Sequence, residues 1–131
     1  MAEDNRGGPV RVRRVYDPPE PADGTRVLVD RLWPRGLRKA EAGVDHWARA
    51  ATPSSELRRW FHGPDGNREE FRRRYERELA APEAAAELER LRALLAAGPV
   101  TLLTAVRDPD GSHVPVLLDA LTRTPPRPGR A

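Results

Sequence analysis

The sequence predicts an α/β fold with a small, partly parallel sheet of three to four strands flanked by helices. Two short apolar runs, at residues 26–30 and 100–106, have the composition of interior strands. The stretch between them carries apolar residues at helical spacing and ends in Gly98-Pro99, a usual termination of a helix. Strands separated by helices are typical of the α/β class. A length of 131 residues fits one such domain.

The first predicted strand covers residues 10–15, where valine at first alternates with arginine, as expected of an edge strand with one solvated face. Its direction is open, and an antiparallel arrangement is one alternative. Residues 17–25 contain three prolines and an Asp-Gly pair, which predict a loop too short for a helical crossover. Residues 26–30 centre on Val27-Leu28-Val29, which is apolar on both faces and predicts an interior strand.

Helices are predicted downstream of these strands. Residues 39–51 are ambiguous, because their apolar positions fit helical spacing over a short and weakly amphipathic stretch. Ser54 or Ser55 is expected to cap a short helix that ends at Phe61, and Asn67 is expected to cap the next one.

Two further elements complete the predicted α/β order. A third helix is predicted over residues 83–97. The last helix follows the second apolar strand, with Ser112 as its expected cap.

One α/β domain is expected over residues 10–122. Residues 1–9 and the Pro/Arg-rich tail 123–131 have too little apolar content to join a core, so both are predicted to be disordered. The sequence shows no secretory signal and no apolar run near the roughly 18 residues that span a bilayer. A cytoplasmic protein is therefore expected. The absence of cysteine excludes disulfides, zinc-thiolate sites and cysteine nucleophiles.

The charge distribution argues against nucleic acid as the partner. The formal net charge is +3, but residues 1–9 contribute −1 and residues 123–131 contribute +3, which leaves +1 for residues 10–122. The predicted domain is therefore nearly neutral, whereas a nucleic-acid-binding domain usually concentrates positive charge.

Polar pairs follow both apolar strands. Asp30 and Arg31 come directly after the first of them, and Arg107 and Asp108 come after the second. If the two strands are parallel, both pairs lie at one edge of the sheet, where open α/β sheets bind ligands. The sequence therefore predicts a binding site at the carboxyl ends of the strands.

This predicted site has the residue types of an anion-binding pocket. Arginine forks suit phosphate and carboxylate, and a helix N-terminus offers free N–H groups to an anion. The alternative is a structural arginine network that bridges loops. The predicted anion-binding residues are Arg31, Arg35, Ser54, Ser55 and Arg58. The predicted pocket wall consists of Asp30, Trp33 and Trp60.

Asp108 and His113 are the candidate catalytic groups. His113 follows an apolar strand at a predicted helix start, where an imidazole can act as acid or base, and the alternative is a hydrogen-bonded rim histidine. Asp108 is equally able to form a salt bridge, and Arg31 is expected to be buried and paired with it. The three histidines are too widely spaced for a typical metal site, and no Gly-rich phosphate loop is present. Neither a metal nor a cofactor is predicted.

The residues also resemble a known family. The run Val-Asp-Arg-Leu-Trp-Pro-Arg-Gly at 29–36, with Trp60-Phe61 and Val-Thr-Leu-Leu at 100–103, closely resembles the YeaO-like proteins of the domain of unknown function 488 group. The resemblance spans roughly residues 10–121. It implies a small bacterial α/β protein whose biochemical activity is not established. Of the two histidines frequent in the family's last loop, only His113 is present here.

Two functions from different classes remain open. In the first, the domain binds an anionic, phosphate- or carboxylate-bearing small molecule at the strand ends, with or without a reaction. In the second, it is a non-catalytic nucleic-acid or protein adaptor that uses the Arg-rich helix at 68–77 and the basic tail. The nearly neutral domain favours the first function. The sequence leaves the oligomeric state open.

Overall fold

A computed structural model describes residues 10–123 and contains a four-stranded sheet in the order β1-β4-β2-β3. The predicted disordered segments lie outside the described residues, except for Arg123, whose backbone N–H caps the last helix. Every strand pair in the described sheet is parallel. The strands are β1 (Val10–Arg14), β2 (Thr25–Leu28), β3 (His46–Trp47) and β4 (Val100–Thr104).

The expected small α/β fold is confirmed, and β1 is indeed an edge strand, but the antiparallel alternative for β1 is wrong. Both β1 and β2 run parallel to β4, with Val10 and Thr25 on either side of Val100. The chain returns from the end of β1 to the start of β2 through residues 15–24, without an α-helix. Ten residues reach about 33 Å when extended, which is enough to travel back along a five-residue strand of about 16 Å.

Gly24 closes this return at the start of β2. Its φ is +64°, and a Cβ at this position would lie 2.2 Å from the carbonyl oxygen of Pro99. That carbonyl accepts the N–H of Thr25 at 3.0 Å, which begins the pairing of β2 with β4. Only glycine fits this close approach.

The helices confirm most of the predicted elements. Ser54 Oγ accepts the N–H of Leu57 at 3.1 Å, and Asn67 Oδ1 accepts the N–H of Glu70 at 2.9 Å. The ambiguous segment 39–51 divides into a short helix, strand β3 and a 3-10 turn. The helices are α1 (Lys39–Ala42), α2 (Ser55–Phe61), α3 (Arg68–Leu79), α4 (Pro82–Ala97) and α5 (Val114–Thr122). None of the described helices is long and apolar enough to cross a membrane.

The two faces of the sheet are covered differently. On one face, alternate strand residues such as Val27 and Leu102 pack with the apolar sides of α2 to α5. On the other face, Leu28 and Leu103 pack with Trp33 from the loop that follows β2 and with Trp47 of β3. That face is closed by loop side chains, so this loop is part of the second core.

A carboxylate with three arginines anchors the amino end of the sheet. Asp23 is fully buried and accepts hydrogen bonds from Arg13 at 2.8 Å and from Arg26 at 2.6 Å, while Arg11 lies 3.3 Å away. Burial raises the pKa of Asp23, but the N–H of Glu20 and the two guanidinium groups outweigh burial and lower the pKa to about 2. The guanidinium groups of these arginines are structural and gather at Asp23, which precedes β2 and lies at the opposite end of that strand from the predicted site.

Candidate functional site

A cleft of about 520 Å³ opens at the carboxyl ends of β2 and β4. This is the edge of the sheet at which the sequence predicts a site. Seven of the ten predicted site residues line the cleft: Asp30, Arg31, Trp33, Arg35, Arg58, Asp108 and His113. Asp30 and Arg31 therefore share the cleft with Asp108, as expected from parallel strands, whereas Arg107 of the second predicted pair does not line it.

The structure does not bring Ser54, Ser55 and Trp60 to this cleft. Ser54 donates its hydroxyl to a carboxylate oxygen of Glu78 at 2.6 Å, and its backbone N–H donates to the other oxygen at 2.8 Å. Ser55 is exposed on α2, and the guanidinium of Arg74 lies over the Trp60 ring at 4.0 Å. The predicted helix start therefore already holds an anion, the side chain of Glu78, and is not available to a ligand.

Arg31 has a different environment from the one expected. It is only partly buried, and its Nη1 donates to Thr52 Oγ1 at 3.2 Å. No carboxylate within residues 10–123 lies within 4.0 Å of its guanidinium, and Asp108 is exposed. The predicted Arg31–Asp108 pair is wrong, because Arg31 turns toward the Arg49–Ala51 turn that precedes Thr52. The charge of Arg31 is therefore not neutralised by a direct carboxylate partner among the described residues.

Asp30 has a structural role at the floor of the cleft. Its carboxylate accepts Thr104 Oγ1 at 2.7 Å and the N–H of Ala105 at 2.7 Å. Its backbone carbonyl accepts the indole N–H of Trp47 at 2.7 Å. Both carboxylate oxygens are occupied by β4 and the residue after it, so Asp30 fixes the cleft rather than supplying a free charge.

His113 is held in one orientation. Its Nε2 lies 2.7 Å from the carbonyl oxygen of Val29, which can only accept, so Nε2 carries the proton. Within residues 10–123, Nδ1 has no hydrogen-bond partner, and the side chain is only 12% exposed. Burial lowers the pKa of His113 and nearby Arg58 adds to this, whereas the Val29 carbonyl and Asp30 oppose it. His113 is therefore neutral near pH 7, and its Nδ1 is a hydrogen-bond acceptor.

Apolar side chains form the rest of the cleft. Phe61 and Phe71 stack with ring centroids 4.2 Å apart. On the opposite loop, the indole N–H of Trp33 donates to the Leu37 carbonyl at 2.6 Å, and Leu32 is 65% exposed at the rim. No spacing in the sequence identifies either phenylalanine as part of a cleft.

The charges in the cleft do not pair with each other. Arg31, Arg35 and Arg58 line it, and none has a carboxylate within 4.0 Å among residues 10–123. By contrast, Arg72, Arg73 and Arg74 on α3 all contact carboxylates. The cleft thus gathers three arginines whose charge is not neutralised by a direct partner.

The family model and the similar proteins all indicate the same family. The model of the family described as the inactive DUF488-N3 subclade matches residues 9–127. The uncharacterized protein YeaO of Escherichia coli is 44% identical over 112 residues, which cover 86% of this chain and 96% of that protein. The uncharacterized protein Rv3073c of Mycobacterium tuberculosis is 46% identical over 112 residues, which cover 86% of this chain and 92% of that protein. No solved structure matches. The chain therefore belongs to the YeaO-like DUF488 family, in its inactive DUF488-N3 subclade.

Proposed function

We propose that this protein binds a small anionic molecule, bearing a phosphate or carboxylate group, in the cleft at the carboxyl ends of β2 and β4. The observation that carries the proposal is the gathering of Arg31, Arg35 and Arg58 on one cleft without carboxylate partners among residues 10–123. Guanidinium groups without partners repel one another, and a bound anion relieves that repulsion. Arginine is also the side chain that best fits the geometry of phosphate and carboxylate.

The dimensions of the cleft support a small molecule rather than a macromolecule. Ligand pockets commonly enclose about 300–1,000 Å³ and combine apolar walls with a few polar groups, and this cleft of about 520 Å³ has that composition. Phe61, Trp33 and Leu32 supply apolar surface beside the arginines. A bare inorganic anion would leave most of this surface uncovered.

Binding without turnover is the form of the function that we propose. The matching family model is described as inactive, and Asp30 is fully engaged in holding the strand ends together. The catalytic roles predicted for Asp108 and His113 stay predictions, and the binding role does not depend on them.

The adaptor alternative has less support. Arg73 and Arg74 both contact Glu70, and Arg72 contacts Glu76 and Asp119. Ion pairing of this kind neutralises the Arg-rich helix locally and leaves less positive charge for a polyanion. The basic tail to which that alternative also appeals lies outside the described residues.

The test is a calorimetric titration of the full chain with inorganic phosphate and with phenyl phosphate. We expect both to bind, and Arg31→Ala and Arg58→Ala to weaken binding at least tenfold. Arg59→Ala is the matched control, because Arg59 is the exposed neighbour of Arg58 on α2 and does not line the cleft. The proposal would be removed if neither anion binds. It would also be removed if the Arg58 and Arg59 variants lose the same affinity.

A further inference from the structure

We infer that the ligand of this cleft carries, besides its anionic group, a flat aromatic body with an N–H or O–H donor, which is the composition of a nucleoside monophosphate. The inference rests on the proposed anion-binding function and names the class of ligand. Its two supports are the Nδ1 of His113, which has no partner among residues 10–123, and the aromatic wall of the cleft.

The donor on the ligand follows from the hydrogen bonding of His113. The Val29 carbonyl fixes the proton on Nε2, so Nδ1 presents a lone pair. Nδ1 has no partner among residues 10–123 and is not sealed from solvent, so a ligand N–H or O–H that replaces water on it adds a hydrogen bond. The same lone pair repels negative charge, so an anionic group is not the part of the ligand that faces it. His113 therefore selects an N–H or O–H group, and the arginines select the anion.

The aromatic body follows from the walls. Phe61 stacks on the buried Phe71 and is itself only partly covered, while Trp33 and Pro34 line the cleft from the loop that follows β2. Leu32 is apolar and 65% exposed beside them. A flat ring between these walls would bury apolar surface and stack on an aromatic face, an interaction that does not depend on the identity of the base.

The two recognition elements lie on one cleft but on different segments. The loop after β2 carries Arg31 and Arg35, whereas His113 precedes α5, at the end of the connection from β4. A ligand that satisfies both therefore contacts two segments of the cleft lining at once. The cleft volume of about 520 Å³ accommodates such a molecule.

The experiment compares inorganic phosphate, the common ribonucleoside monophosphates and the matching nucleosides by calorimetry on the full chain. We expect at least one nucleoside monophosphate to bind more than tenfold tighter than both inorganic phosphate and its own nucleoside. If phosphate binds through the arginines but no nucleoside monophosphate binds tighter, this inference is overturned and the proposed function stands. If no anion binds at all, both fail.

His113→Gln tests the donor contact directly. The glutamine amide can place an N–H where Nε2 stands, which preserves the bond to Val29, whereas its carbonyl oxygen branches from Cδ and does not take the position of Nδ1, which is bonded to Cγ. We expect about a tenfold loss of nucleoside monophosphate affinity, equivalent to one hydrogen bond, with inorganic phosphate affinity unchanged. Unchanged nucleotide affinity would overturn the donor contact.

Nitrogen NMR of the unmodified chain tests the same contact if His113→Gln does not fold. The free protein should show His113 protonated at Nε2. Addition of the nucleoside monophosphate should shift the Nδ1 resonance in the direction of an accepted hydrogen bond. An Nδ1 resonance that does not respond to a bound nucleotide would overturn the contact.

Discussion

Asp30 and Thr104 join the carboxyl ends of the two central strands through a hydrogen bond of 2.7 Å between Oγ1 of Thr104 and Oδ1 of Asp30. The second carboxylate oxygen accepts the N–H of Ala105 at 2.7 Å. One side chain thereby fixes the distance between the loops that follow β2 and β4. Because Arg31 follows Asp30 directly, this contact also fixes the position of the Arg31 backbone at the edge of the cleft.

Asp30→Asn should destabilise the fold. The amide of asparagine places an N–H₂ group opposite one of the two donors, so either Thr104 or Ala105 loses its acceptor, at a cost of about 1–3 kcal/mol. The free energy of unfolding from urea denaturation measures this cost. Asp108→Asn is the control, because Asp108 is exposed and forms no ion pair within residues 10–123. Equal effects of the two changes would contradict the structural role of Asp30.

Arg31→Ala should change the free energy of unfolding by less than about 1 kcal/mol, because no carboxylate is left without its partner. Among residues 10–123, the only side-chain hydrogen bond of Arg31 goes to Thr52, whose hydroxyl also donates to the Arg49 carbonyl at 2.7 Å. The thermal stabilisation that phenyl phosphate gives the parent chain should disappear in this variant. A strongly destabilised variant would show that Arg31 is structural.

Asp23 should make the largest single contribution to the loss of unfolding free energy at acidic pH. Its pKa of about 2 lies below the ordinary value of 3.8, so its ionised form contributes about 2 kcal/mol above pH 4. That contribution is lost as pH falls from about 4 to about 2. Asp23→Asn should lose about 3 kcal/mol or more at pH 7, because buried Arg26 keeps its charge without its carboxylate.

Unfolding free energies measured between pH 2 and pH 7 test the role of Asp23. The difference between the parent chain and Asp23→Asn should shrink as pH falls, since protonation removes the same charge from the parent chain. A difference that is constant over this range would contradict the assignment.

Arg58→Ala should raise the pKa of His113, since the Arg58 guanidinium disfavours the imidazolium form. Burial remains, so the pKa should still lie below its ordinary value. Arg59→Ala should leave it unchanged. Titration of the His113 ring signals by NMR measures both shifts, and equal shifts in the two variants would contradict the placement of Arg58 beside His113.

The neutral imidazole of His113 also has a consequence for stability. Because its folded pKa is lowered, the unfolded chain binds more protons below the ordinary value of 6.5. The contribution of His113 to stability is therefore fully present above about pH 6.5 and is lost as pH falls toward its folded pKa. Denaturation midpoints measured between pH 5 and pH 8, for the parent chain and for His113→Gln, should show this slope only in the parent.

The elements that local patterns describe well were predictable from the sequence. The interior strand β2 follows from its apolar run, and the caps of α2 and α3 follow from Ser54 and Asn67. Strand β3 was missed, because two residues between a glycine turn and a 3-10 turn carry no period of their own. Its pairing with β2 is decided by packing of Trp47 on the second face of the sheet.

The site was predictable in place but not in detail. The rule for parallel strands located Asp30, Arg31 and Asp108 at one edge. The engagement of Ser54 depends on Glu78, 24 residues away, and the tautomer of His113 depends on the carbonyl of Val29, 84 residues away. Contacts over such separations depend on how the elements pack in three dimensions, and the local spacing of residues does not predict them.

The strand order has a consequence for the synthesis of the chain. Strand β4 lies between β1 and β2, so neither of these strands has its principal partner until residues 100–104 have left the ribosome. Before that point only the two-residue pairing of β2 with β3 is available, and a ladder this short is not stable alone. Formation of the sheet must therefore wait until more than three quarters of the chain has been made. Over that interval the apolar faces of β2 and the first helices remain without their final partners, and folding is late and dominated by long-range contacts.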